Sequence, residues 1–286
     1  MLRSFRFSDF DVAGLVEAKR GRRISVCLPA RDEAETVGAI VAVIRSSLVE
    51  VQPLVDEILV IDDGSTDATS TVARDAGARV LATAPGGKGQ AMWRAVQAAG
   101  GDLVVFCDAD VRDFAAHFVS GLVGPLLIRD DVAFVKGCYD RPVDGVPGEG
   151  GRVTELVARP LIAALFPHLA TLAQPLAGEC AARRDVWERL PFVDGYGVDL
   201  GLVIDVASEF GLGAMAQCDL GQRVHRNRPL ADLGPQALAI VQVALSRAGV
   251  APDWESRLVR PGHEPLTVVL SERPPLVGVE PARRTA

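Results

Sequence analysis

Four short, mostly apolar runs, each followed by a polar loop and a helix-like stretch, constrain the fold of this chain more than any other feature. "ISVCL" (24–28) is halted by Pro29, and "EILVI" (57–61) ends in "DDGSTD". "ARVL" (78–81) precedes "PGGKGQ", and "DLVVF" (102–106) runs into "CDAD". Runs of this length, bounded by turn residues, read as strands buried on both faces. Helices are expected between them: from about Glu33 to Leu48, from a Ser65 or Thr66 cap to Ala76, and from "PGGKGQ" through Ala99.

Strand–helix alternation with short connections predicts an α/β fold, a Rossmann-like, mostly parallel sheet with helices on both faces. Ligands of such sheets collect at the carboxyl ends of the strands. "PARDE", "DDGSTD" and "CDAD" all fall there, so three acidic loops are expected along one edge. The second half is less regular. "DVAFVKGCYD" (131–140) and "AMAQCDL" read as strands, and helices are expected in "RVTELVARPLIAALF", over 198–210 and in "PLADLGPQALAIVQVALSRAG". The expected divisions are an N-terminal extension (1–22), a first α/β half (23–140), a second half of the same domain (141–250) and a tail (251–286). Beyond about Arg260 the tail is rich in proline and arginine, has no periodicity and is expected to be partly disordered.

Composition narrows the function classes. Hydrophobic residues make up 49% of the 286 and charged ones 23%, as in ordinary globular proteins. The formal net charge of −7 argues against a nucleic-acid surface but permits local cation clusters that bind an anionic substrate. No apolar run approaches the roughly 20 residues of a membrane span, and the first residues lack the apolar core of a signal peptide. The five cysteines are odd in number, scattered and without a C-x-x-C, as expected of core residues in a reducing compartment. A cytoplasmic protein without nucleic-acid or membrane partners is expected.

Several motifs could carry chemistry. Asp108 and Asp110, separated by Ala109, repel each other unless they share a cation. Such a pair at a strand end suits Mg²⁺ or Mn²⁺, hard ions often shared with substrate phosphates, although Asp also simply caps strand-ending turns. In "PGGKGQAMW" the glycine N–H groups and Lys88 could meet an anion, or form a turn with a solvated lysine. "GGRVTELVARP" gathers N–H groups, Arg152 and Thr154 at a helix start, which fits a phosphate or carboxylate as well as it fits a plain helix cap. In "GQRVHRNRPL", Arg223, His225 and Asn227 would share one face of an extended segment. Asp199, amid apolar residues in "GYGVDLGLVIDVA", could orient a substrate hydroxyl or only favour its helix dipole.

Taken in order, "LPARDE", "DDGSTD", "PGGKG", "DAD", "GGRVTELVARPL", "PLAGE", "GYGVDLGL" and "LGQRVHRNRPL" resemble the glucosyl-3-phosphoglycerate synthases of actinobacteria and the related mannosyl-3-phosphoglycerate synthases. These are retaining glycosyltransferases of the GT-A fold, and the likeness covers roughly residues 22 to 248. The resemblance implies a nucleotide-sugar-binding first half and an acceptor-binding second half. It implies transfer of a hexose, by default glucose from UDP-glucose, to 3-phosphoglycerate by a homodimer; a GDP-sugar donor and a nucleoside or natural-product acceptor are alternatives.

Residue by residue, the resemblance implies that Pro29, Ala30, Arg31, Glu33 and Asp63 line the nucleotide pocket. Asp108 and Ala109 would contact the nucleotide sugar, and Lys88, Arg223 and Arg228 the phosphates. Asp110 and His225 would hold Mg²⁺ or Mn²⁺. Tyr196 and Asp199 would lie along the donor sugar, while Gly151, Arg152, Val153, Thr154 and Asn227 would bind the acceptor. Asp199, Lys88 and Asp110 form the expected catalytic set. The chain departs from the family pattern at Arg31-Asp32 (Leu-Asn), at Asp63 and Ala109 (both serine) and at Asp199 (glutamate), and its loop before Gly151 is shorter.

Overall fold

The computed structural model describes residues 1–142, 151–224, 230–250 and 255–277. The chain begins with β1 (Arg3–Arg6) and α1 (Val12–Ala18), then alternates β2 (Ile24–Ala30), α2 (Val37–Ile44), β3 (Glu57–Asp62) and α3 (Thr69–Asp75). Next come β4 (Arg79–Ala82), α4 (Lys88–Ala98), β5 (Leu103–Phe106), α5 (His117–Ile128) and β6 (Phe134–Asp140). The second half adds α6 (Arg159–Leu165), β7 (Cys180–Arg183), α7 (Arg184–Arg189), β8 (Phe192–Val193), α8 (Val198–Phe210) and β9 (Met215–Gln222). Last are α9 (Leu230–Arg247), β10 (Glu255–Leu258), β11 (Leu266–Val269) and β12 (Glu272–Arg273).

Eight strands form one sheet in the order β1-β9-β6-β7-β5-β2-β3-β4. Only β7 runs against its neighbours, pairing antiparallel with both β5 and β6. This reversal matters for the site. The amino end of β7 meets the carboxyl ends of the parallel strands, so Glu179, just before β7, arrives on the same edge as the "CDAD" loop after β5.

Both faces of the sheet are covered, which explains why its strands read as unbroken apolar runs. Ile24, Val26 and Leu28 of β2 pack with Ile40, Ile44 and Phe118 on one face, whereas Cys27 joins Leu59, Met92 and Trp187 on the other. Trp187 anchors the second face: it is buried, its ring meets Phe106 and Phe134 edge-on, and its indole N–H donates to the Val104 carbonyl at 3.0 Å.

One local expectation is corrected, and both ends of the chain add strands. The α3 turn is not capped by Ser65 or Thr66. Asp67 accepts from the Thr69 N–H instead, while Ser65 accepts from the Asp32 N–H and Thr66 donates to Asp32 Oδ1. The N-terminal extension is part of the sheet, with β1 parallel to β9 at its edge. Within the tail, residues 255–277 are built in: β10 and β11 pair, and β12 pairs with β8. From that strap Arg273 bonds Asp194 and Gln90, and the Pro274 carbonyl accepts from the Trp93 indole on α4.

β8 and α4 approach so closely that Gly89 has no room for a side chain. A Cβ there would lie 1.7 Å from the Val193 carbonyl oxygen, so backbone would have to move. Gly89→Ala is therefore expected to cost about 1–3 kcal/mol, read as a lowered thermal unfolding midpoint. An unchanged midpoint would refute this packing.

Candidate active site

The strand ends, the start of α4, the start of α8 and the helical turn before α6 enclose one cleft of about 460 Å³. Pro29, Ala30, Arg31, Glu33 and Asp63 come to its wall from the ends of β2 and β3. Asp108, Ala109 and Asp110 come from β5, and Lys88 from the first residue of α4. Tyr196 and Asp199 enter at α8 and Arg223 just after β9. Gly151, Arg152, Val153 and Thr154 line the same cleft. The expected residues within the described chain thus share one cavity. His225, Asn227 and Arg228 lie outside the described residues.

The aspartate pair does share a cation, and the protein supplies it in Arg223. Lys88 Nζ sits 2.9 Å from Asp108 Oδ1 and 3.1 Å from Asp199 Oδ2. Arg223 Nη1 lies 2.9 Å from Asp108 Oδ2, and its Nη2 lies 2.6 Å from Asp110 Oδ1. The same Nη1 is 2.9 Å from Glu179 Oε1 and 2.7 Å from the Tyr139 hydroxyl, which itself donates to Glu179 Oε2 at 2.6 Å. Arg141 Nη2 donates to that hydroxyl at 2.6 Å, with its guanidinium over the Tyr139 ring.

Electrostatics follow from this crowding. Burial alone would raise the Asp108 pKa, but Lys88 and Arg223 hold the carboxyl far below the ordinary range. Burial would lower that of Lys88, yet Asp108 and Asp199 raise it well above its usual value. For Glu179 burial dominates and pushes the carboxyl up despite Arg223. Burial likewise raises Cys107 and Cys180, the latter to about 12, so neither thiol is a ready nucleophile.

The glycine loop before α4 differs from the sequence expectation. The Gly86 and Gly87 N–H groups point not into the cleft but at Asp63, whose two oxygens accept them at 2.8 and 2.9 Å. Lys88 is the cationic member of that motif that reaches the cleft. Arg31 Nη1 lies 4.0 Å from the same carboxylate. Another glycine, Gly178, makes room for Asp108: a Cβ there would fall 2.1 Å from Asp108 Oδ1.

Sequence reasoning assigned no role to Glu179, Tyr139, Arg141 or Lys136. The available signals were a glutamate directly before the apolar "CAAR" and a lone lysine inside "VAFVKGCY". Glu179 reaches the site only through the reversed strand β7, which no local pattern announces.

Residues 25–159 match the model of glycosyl transferase family 2. A glucosyl-3-phosphoglycerate synthase of Mycolicibacterium paratuberculosis is 45% identical over 305 residues, covering 98% of this chain and 91% of that protein. The chain belongs to the glucosyl-3-phosphoglycerate synthase family. It is a glycosyltransferase with a GT-A fold. The crystal structure of the Mycobacterium tuberculosis glucosyl-3-phosphoglycerate synthase with Mn²⁺, UDP-glucose and phosphoglyceric acid is 43% identical, with a TM-score of 0.87 over 98% of this chain and 99% of that one. The mannosyl-3-phosphoglycerate synthase of Rubrobacter xylanophilus is 39% identical, with a TM-score of 0.88 over 97% of each chain.

The Asp108 clamp has a pH signature. A carboxyl whose folded pKa is depressed contributes stability in full above its unfolded value, about 3.9, and loses it as the pH falls through the folded value. The unfolding midpoint should therefore fall on acidification below about pH 4, and Asp108→Asn should lessen that fall. Parallel acid limbs for the two proteins, followed by calorimetry, would contradict the clamp.

Proposed function

We propose that this glycosyltransferase moves glucose from UDP-glucose to the hydroxyl of 3-phosphoglycerate, with retention at the anomeric carbon, as a cytoplasmic homodimer. The observation that carries the reading is one cleft lined by two sets of anion-binding groups. Lys88 and Arg223 stand against the aspartates after β5, and Arg152 and Thr154 stand at the helical turn before α6. A donor diphosphate and a phosphorylated, carboxylated acceptor need two such sets on one gap. The family relatives and the ligands bound by the mycobacterial enzyme support the same assignment.

A divalent ion fits the donor chemistry here. Arg223 engages Asp110 Oδ1, while Oδ2 of this partly exposed side chain receives no hydrogen bond from a described residue. Among the described residues no three His, Cys, Asp or Glu side chains cluster as a metal site. Mg²⁺ and Mn²⁺ suit this arrangement, because they take one or two carboxylates and fill remaining positions with phosphate oxygens and water. Asp110, with His225 as implied by the resemblance, would hold the ion. When bound, it withdraws charge from the diphosphate.

The chain's own residues have distinct tasks in this reading. Lys88 faces the charge that grows on the departing diphosphate, in a site already organised to receive it. Asp199 meets the donor sugar hydroxyls, and Pro29, Ala30, Arg31, Glu33 and Asp63 seat the nucleoside. Arg152, Thr154 and the backbone of Gly151 and Val153 hold the acceptor so that its hydroxyl faces the anomeric carbon. As the bond from that carbon to the diphosphate breaks, the bond to the acceptor oxygen forms on the same face. The hydroxyl proton passes to the leaving phosphate.

A matrix of nucleoside-diphosphate sugars against anionic acceptors, with Mg²⁺ or Mn²⁺ and mass-spectrometric detection, tests this reading. UDP-glucose with 3-phosphoglycerate should give glucosyl-3-phosphoglycerate and UDP. Asp110→Ala should lower that rate by at least about 10²-fold while the protein stays folded. Faster turnover of another pair, or full activity in Asp110→Ala, would overturn the assignment.

A further inference from the structure

Lys136 is a lysine in the middle of a sheet. It lies on β6 between β7 and β9, opposite Cys180 and Gln217, with 1% of its surface exposed. Its Nζ makes no hydrogen bond, and it is absent from the cleft wall. Burying an ammonium group in this way is costly unless an anion stands beside it. Cys180 cannot be that anion, since burial pushes its thiol up to about 12.

The acid within reach is Asp199, whose Oδ1 lies 3.6 Å from Lys136 Nζ and itself lacks a hydrogen bond. Its other oxygen, Oδ2, is the one 3.1 Å from Lys88. The Asp199 carboxylate is therefore held between two ammonium groups, one per oxygen. Lys88 approaches from the cleft and Lys136 from the sheet. A carboxylate held on both oxygens has one orientation, and Asp199 keeps it while lining the cleft.

We propose that Lys136 is a positioning residue: from within the sheet it fixes the Asp199 carboxylate against Lys88 in the orientation that meets the donor sugar. This rests on the proposed glucosyl transfer. Lys136 touches no substrate and acts through Asp199 alone. Its loss should weaken the part of donor binding and turnover that depends on the sugar and leave the nucleotide contacts untouched.

The test compares the wild-type protein with Lys136→Met, which keeps the volume and removes the charge; Lys136→Gln is measured in parallel in case the thioether is not tolerated. With UDP-glucose and 3-phosphoglycerate, kcat should fall at least about tenfold while both KM values change less than about threefold, and the unfolding midpoint should not drop. By calorimetry the affinity for UDP should be unchanged, whereas the preference for UDP-glucose over UDP should shrink. In an Asp199→Asn background the same substitution should alter that preference by less than twofold, because the two residues act as a unit. A wild-type kcat in Lys136→Met, or equal losses in both backgrounds, would overturn the proposal. A wild-type protein inactive across the donor and acceptor panel would instead overturn the functional reading beneath it.

Discussion

One guanidinium holds the centre of this molecule together. Arg223, buried after β9, contacts Asp108 and Asp110 beyond β5, Glu179 before β7 and the Tyr139 hydroxyl on β6. Four strands of one sheet are thus linked at their edge through a single side chain. Carboxylates brought this close would repel each other and suffer desolvation without a partner. A planar cation with several donors relieves both costs, and a lysine could not reach the same set of acceptors.

The cleft inherits its order from that clamp. With Asp108 occupied by Arg223 and Lys88, Asp110 is the member of the pair with an oxygen left for a ligand. Lys88, at the first residue of α4, also reaches Asp199 at the first turn of α8, so the two helices on this face are joined at the cavity. Asp63 works one loop away. By accepting two glycine N–H groups it fixes the turn that delivers Lys88, so its carboxylate shapes the site from within the wall. These pairs carry structural and chemical duties at once, because the groups that would face a diphosphate also hold the strand ends together.

Much of this was readable beforehand because parallel sheets impose a simple rule. Apolar runs locate the strands, and whatever polar residues follow them must gather at one edge. That rule brought "PARDE", "DDGSTD" and "CDAD" together without knowledge of long-range contacts. It could not supply Glu179, which reaches the same edge only because β7 runs backwards. Nor could it assign partners: the glycine loop reads equally as an anion cradle or a plain turn until Asp63 is seen to accept its N–H groups. The order within the tail escapes the sequence for a related reason. Residues 272–277 have no periodicity of their own and are ordered by β8 and α4, through Arg273 and Pro274.

The claim at the centre is that the protein's own cations arrange the aspartate pair so that Asp110 turns the oxygen no described residue engages to a metal-bound diphosphate. A crystal structure of the protein with Mn²⁺ and UDP-glucose, with the manganese located by anomalous scattering, tests it most directly. The account predicts the anomalous peak in contact with Asp110, and Arg223 still bridging Asp108 and Asp110. A manganese ion bound away from Asp110, or an Arg223 released from both carboxylates, would contradict it.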